Sequence, residues 1–177
     1  CKLKYHHLYM QIKLFVCKIL FRPFSSVLVP MTERLKLENQ LCHRFYTLSN
    51  AFTRAYRPLL KALDITYPQY VTLMALWETS GVTVASLVQK TMIDGGAMSL
   101  ILKKLEAKGF ITIEKDHTDK RVKHVHLTSF GNTAKVKAGD IPVQMLCKLD
   151  GLSKEEASQL ATLIDKLHGC FMPIEDE

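Results

Sequence analysis

The feature that most constrains this chain is a charged, turn-forming segment from Asp116 to Ser129, set directly behind two short amphipathic stretches. These stretches are Val84 to Lys90 and Ala97 to Lys108, linked by the turn Ile93-Asp94-Gly95-Gly96, with Gly109 stopping the second. In the second stretch Met98, Ile101, Leu102 and Leu105 recur at three- and four-residue steps, which predicts a helix with one apolar face. Ser99, Lys103 and Lys104 fall off that stripe and stay available to solvent or phosphate. Phe110-Ile-Thr-Ile-Glu114 and Val122-Lys-His-Val-His-Leu127 alternate and are rich in β-branched residues, so two strands with a polar link are expected. A short helix pair followed by a charged hairpin is the plan of a winged helix-turn-helix, mainly α with a small β-wing. Such a unit lays its second helix in the major groove of double-stranded DNA and its wing alongside.

The flanking sequence predicts further helices. From Leu35 to Leu63 the residues Leu41, Phe45, Leu48, Phe52, Leu59 and Leu63 mostly keep helical spacing, giving one long amphipathic helix ending near Asp64. Pro68 suits the first turn of a helix running to about Thr79, with Gly81 just beyond it, and Leu76 and Trp77 in the core. Thr128 or Ser129 can cap a helix that runs through Lys137, bent near Gly139 and Pro142. Ser153-Lys-Glu-Glu156 is a capping box for a last helix from Lys154 to about His168. The organisation expected is one winged-helix domain over residues 31–177. Within it, 67–128 form the DNA-binding lobe, and 35–63 and 129–172 supply dimer helices.

Charge needs its location before it means anything. The formal net charge is +7, but residues 1–30 hold Lys2, Lys4, Lys13, Lys18 and Arg22 without one acid. Only +2 is left for the other 147 residues, so global basicity is weak support for DNA binding. A local excess carries more weight. From Lys103 to His126 there are seven Lys and Arg against four acids, with three His. Residues 1–30 read as upstream sequence ahead of a start at Met31, or else as a basic arm. Their apolar run is interrupted by Lys13 and Lys18 and is too short for a membrane span. The five cysteines, at 1, 17, 42, 147 and 170, are scattered and form no CxxC pair. Neither a disulfide framework nor a zinc site is expected, and a reduced, cytoplasmic protein without a cofactor is.

Several segments together resemble the MarR family, and within it the organic-hydroperoxide-sensing, OhrR-like branch. They are Leu37-Glu-Asn-Gln-Leu-Cys42 with Tyr46, Tyr56-Arg-Pro-Leu-Leu60, Ile65-Thr-Tyr-Pro-Gln-Tyr70, Leu76-Trp-Glu78, Leu102-Lys-Lys-Leu-Glu106 and Asp119-Lys-Arg121 with Leu127-Thr128. The resemblance implies that Cys42 is the peroxide sensor, that Tyr46, Tyr56 and Tyr67 hydrogen-bond around its sulfur, and that Cys147 resolves the oxidised form, with Cys170 as a substitute. The chemistry stands on its own terms. Tyr46 lies four residues after Cys42, on the same helical face, and a phenol donor favours thiolate, the form that attacks a peroxide oxygen. His43-Arg44 beside the sensor replace residues that are usually apolar, and a cation there also favours thiolate. Where the family commonly carries Asp-Ser-Gly-Thr-Leu-Thr, this chain has Asp94-Gly-Gly-Ala-Met-Ser99. Two hydroxyls are gone, so either the operator preference has changed or the chain is a dimer that no longer binds DNA.

The expected DNA contacts are Asp94, Gly96, Ser99, Lys103, Lys104, Asp119, Lys120 and Arg121, with Lys123 on phosphate. Arg121 is expected to enter the minor groove with Asp119 holding its guanidinium. One module reads a short half-site, so a homodimer on a pseudo-palindromic operator is anticipated, with an organic hydroperoxide as its signal. The alternative is a regulator of the same fold that answers a small ligand, with Cys42 inert. An enzyme is not expected, because nothing marks a dedicated reductant or a catalytic histidine.

Overall fold

The computed structural model describes residues 31–171, so the expectations about residues 1–30 and 172–177 lie outside it. The described residues divide into two compact units, 31–47 and 48–171.

In the first unit, helix α1 (Met31–Arg34) and a 3₁₀ turn (Leu37–Asn39) precede helix α2 (Leu41–Leu60), whose first residues belong here and whose remainder lies in the second unit. The predicted helix from Leu35 is therefore shortened. Lys36 and Gln40 adopt extended backbone, which breaks the helical hydrogen-bond ladder before Leu41. The Gln40 amide donates to the carbonyls of Arg34 and Lys36, and Arg44 Nη2 donates to the Glu38 carbonyl at 3.1 Å. These side chains satisfy main-chain oxygens that the helix would otherwise have used.

In the second unit, α2 passes Pro58 and tightens into a 3₁₀ turn at Lys61–Leu63. Asp64, at φ 51°, ends it in the left-handed region, and its carboxylate pairs with Lys108 Nζ at 2.8 Å. Helix α3 (Tyr67–Glu78) follows, with Gln69 Oε1 accepting from the Thr66 amide and Pro68 in its first turn, as the sequence predicts. Strand β1 (Val82–Thr83), helix α4 (Val84–Thr91) and helix α5 (Gly95–Ala107) come next, then strands β2 (Ile111–Lys115) and β3 (Lys123–Leu127). The sheet is antiparallel in the order β1-β3-β2, with Ile113 opposite Val125 and Val82 opposite Val125 on the other side. Strand β1 is a finding beyond the two predicted strands. Two residues are too few to show alternation, and only their pairing with β3 makes them a strand.

Helix α5 begins two residues before the predicted Ala97. Asp94 Oδ1 accepts from the Ala97 amide at 2.9 Å, so Asp94 is the cap and Gly95 and Gly96 form the first turn instead of the loop. Gly109, at φ 75°, stops the helix as expected. The core gathers Leu60, Leu73, Leu76, Leu87, Met98, Leu102, Leu105, Phe110, Ile111 and Val125, all nearly inaccessible to water.

Thr128 caps helix α6 (Ser129–Ala138) by accepting from the Gly131 amide at 3.0 Å. A Cβ on Gly131 would stand 2.1 Å from the Phe110 carbonyl oxygen, so the contact of α6 with the β2 end requires glycine. Trp77 Nε1 donates to the Gly131 carbonyl at 2.9 Å, tying α3 to the same point, so this residue is an anchor as much as a core filler. The predicted bend near Pro142 is a full break: α6 stops at Ala138 and helix α7 (Ile141–Leu146) starts anew. Pro142 has no N–H for the Ala138 carbonyl, and its ring would clash there. A 3₁₀ turn (Cys147–Leu149) leads to helix α8 (Lys154–Gly169), where Ser153 and Glu156 bond reciprocally as the predicted capping box. Helix α8 buries none of its residues, and Leu160, Leu163 and Ile164 are exposed. No helix among the described residues is long and apolar enough to cross a membrane.

Candidate nucleic-acid interface and thiol site

The outward side of α5 follows from its inward side. Met98, Leu102 and Leu105 are buried, which turns Gly96, Ser99, Leu100, Lys103 and Lys104 towards solvent. Ser99 Oγ donates back to the Gly95 carbonyl at 2.8 Å. Asp94 is exposed, but one of its oxygens is occupied by the cap.

The wing tip is organised by two aspartates. Asp116 Oδ1 accepts from the Thr118 hydroxyl at 2.6 Å and amide at 2.8 Å, and from the Asp119 amide at 3.1 Å. Its Oδ2 meets His124 Nε2 at 3.0 Å. The hydrogen bond from the Thr118 side chain, then those from the Asp119 and Thr118 amides and His124, hold the Asp116 carboxyl well below the usual carboxylate range. His124 Nδ1 faces the Gly81 carbonyl at 3.3 Å, so this ring spans from the wing to the turn before β1.

Asp119 Oδ1 accepts from the Arg121 amide at 2.9 Å and from Arg121 Nε at 3.2 Å. The Arg121 side chain is 93% exposed, so the guanidinium is held at its base and otherwise projects into solvent. An aimed, solvated arginine can enter a groove at little further ordering cost. Lys120 beside it is exposed.

Between α5, the start of α4 and the wing lies a cleft of about 680 Å³. Its lining brings Ser99, Lys103, Arg121 and Lys123 together, with Glu106 as the acid and Thr83 at the cap of α4. Sequence spacing named the cations but could not show that helix and wing share one basic cleft, since these residues are far apart in the chain.

The proposed sensor residues fall in both units. In the first, Cys42 and Tyr46 sit one turn apart on α2, and both are exposed. In the second, the Tyr56 and Tyr67 rings lie 4.6 Å apart, and Tyr56 lies 6.0 Å from Tyr70. Tyr70, buried and edge-on to Trp77, completes an aromatic cluster; the sequence placed it in the Ile65-Thr-Tyr-Pro-Gln-Tyr70 segment but gave it no role beside Tyr56 and Tyr67. Burial, then the neighbouring phenols, push the Tyr56 and Tyr70 hydroxyls above their ordinary range. Cys147 and Cys170 are exposed thiols, with Cys170 Sγ donating to the Lys166 carbonyl.

A capped helix lying beside a basic, three-stranded wing defines the winged-helix class. The model of the MarR family matches residues 65–123, which cover α3 to the wing. The chain is 40% identical over 143 residues to the organic hydroperoxide resistance transcriptional regulator of Bacillus subtilis, covering 77% of this chain and 95% of that protein. It belongs to the MarR family. Among solved structures it resembles reduced AbfR bound to DNA, at 28% identity and a TM-score of 0.66, over 78% of this chain and 94% of that one. Overoxidized AbfR bound to DNA is similar at 28% identity and a TM-score of 0.63, over 81% of this chain and all of that one.

Proposed function

We propose that this chain is a dimeric, DNA-binding transcriptional repressor that releases its operator when an organic hydroperoxide oxidises Cys42. The observation that carries the redox part is the exposed Cys42 thiol, one helical turn from the exposed Tyr46 phenol, in a chain 40% identical to a hydroperoxide resistance regulator. The DNA part is supported by the basic cleft and the aimed Arg121. Lys103, Lys104, Lys120 and Lys123 bind phosphate, Ser99 and the first turn of α5 meet base edges or backbone, and Arg121 enters the minor groove. AbfR, similar in fold and sequence, is solved bound to DNA, which supports DNA as the partner of this chain.

In the reaction the Cys42 thiolate attacks the terminal oxygen of the hydroperoxide. The O–O bond breaks, sulfur becomes sulfenic acid, and the departing alkoxide takes a proton from water to leave as an alcohol. A second thiol, Cys147 or Cys170, then displaces hydroxide from that sulfur, which leaves as water, and a disulfide forms. Oxidation changes the spacing of the two recognition helices of the dimer and lowers operator affinity. The test is a gel shift of reduced protein on DNA from beside its own gene, with and without cumene hydroperoxide. Wild-type protein releases the DNA on oxidation and the Cys42→Ser protein holds it. Release by the serine variant to the same extent rules out Cys42 as the sensor.

A further inference from the structure

Leu100 is the most conspicuous side chain on the outward face of α5. It is 64% exposed, at the middle of the face opposite Met98, Leu102 and Leu105, with Ser99, Lys103 and Lys104 around it. A helical side chain leans towards the N-terminus and covers the turn before its own Cα. That turn holds Gly96, four residues before Leu100, and Ala97, three before it. A Cβ built on Gly95 would meet nothing within 4 Å, and one on Gly96 would meet only Asp94 Oδ1 at 3.2 Å. Neither glycine is among those with positive φ, so the backbone path does not call for them, and each weakens the helix relative to alanine. Beside Leu100 there is thus a bare patch of helix at Gly96, bounded by the Asp94 carboxylate, on the face that the basic residues flank.

Resting on the reading of α5 as the groove helix, we infer that Leu100 is a base-reading residue that seats the C5 methyl of a thymine against the bare turn at Gly96. The major-groove edges of the bases offer acceptors, amino donors and a single apolar group, the thymine methyl. Any other base set against Leu100 loses water from a polar edge without gaining a partner. Thymine instead buries its methyl and part of the leucine together. Lys103 and Lys104 hold the helix to the phosphates while this contact selects the base.

The test uses the full chain, reduced, at one fixed salt concentration. A pool of randomised duplex DNA is selected for binding, and each thymine of the recovered duplex is replaced singly by uracil, which lacks only the methyl. At one thymine in each half-site, uracil weakens wild-type binding about fourfold, the worth of one buried methyl. Leu100→Ala binds the thymine duplex more weakly and shows no further loss with uracil at that position. Uracil tolerated at every position by the wild type overturns the assignment, as does an undiminished uracil penalty in Leu100→Ala. Selection that recovers no duplex at all sinks the DNA-binding reading together with it, which separates the two failures.

Discussion

Asp116 shows how one carboxylate can hold the wing in shape. It gathers Thr118, the Asp119 amide and His124 around two oxygens, and those donors stabilise its charged form. A carboxyl whose folded pKa is depressed contributes stability above its unfolded value of about 3.9, and loses it as pH falls below that value. Urea unfolding of Asp116→Asn beside the wild type should therefore show the variant less stable at pH 7, with the gap closing below about pH 4. A gap that stays constant across that range would place the effect elsewhere. The Asp119–Arg121 pair was legible from the chain because both partners sit in one short turn. The Asp116–His124 pair was not, since it exists only once β2 and β3 pair and bring the two residues together.

At the scale of elements, the sequence located most helices and misjudged their ends. The capping box at Ser153 and the cap at Thr128 stand as read, because a cap is a local contact between residues three apart. The start of α5 moved because Asp94 was near enough to cap a turn made of two glycines, which spacing alone reads as loop. The tightest junction is between α6 and the β2 end, where Gly131 leaves no room for a methyl beside the Phe110 carbonyl. Gly131→Ala must push α6 away or strain the strand, and should cost about 1–3 kcal/mol of stability. Urea denaturation measures it, and loss of Trp77 burial in the fluorescence of the native state should accompany it through the Trp77–Gly131 bond.

For the molecule as a whole, the second unit has one core and an unburied C-terminal helix. Val143 and Leu146 on α7, with Leu160, Leu163 and Ile164 on α8, are apolar and exposed. The dimer proposed above would cover them, which would account for apolar residues at helical spacing without a buried face in the single chain. Leu163→Glu would place a charge in that interface, and sedimentation equilibrium should show dimerisation weakened at least about a hundredfold. Operator binding should fall with it, because two half-sites need two reading heads. An unchanged dimer would exclude α8 from the interface. The sequence by itself determined the helix-helix-wing order, the caps, the wing turn and the Cys42–Tyr46 spacing, because each of these is set by residues a few positions apart. The tertiary structure alone decided the third strand, the basic cleft shared by Lys103 and Arg121, and the aromatic cluster of Tyr56, Tyr67 and Tyr70. Each of those depends on which distant segments pack together, and periodicity along a chain carries no record of that.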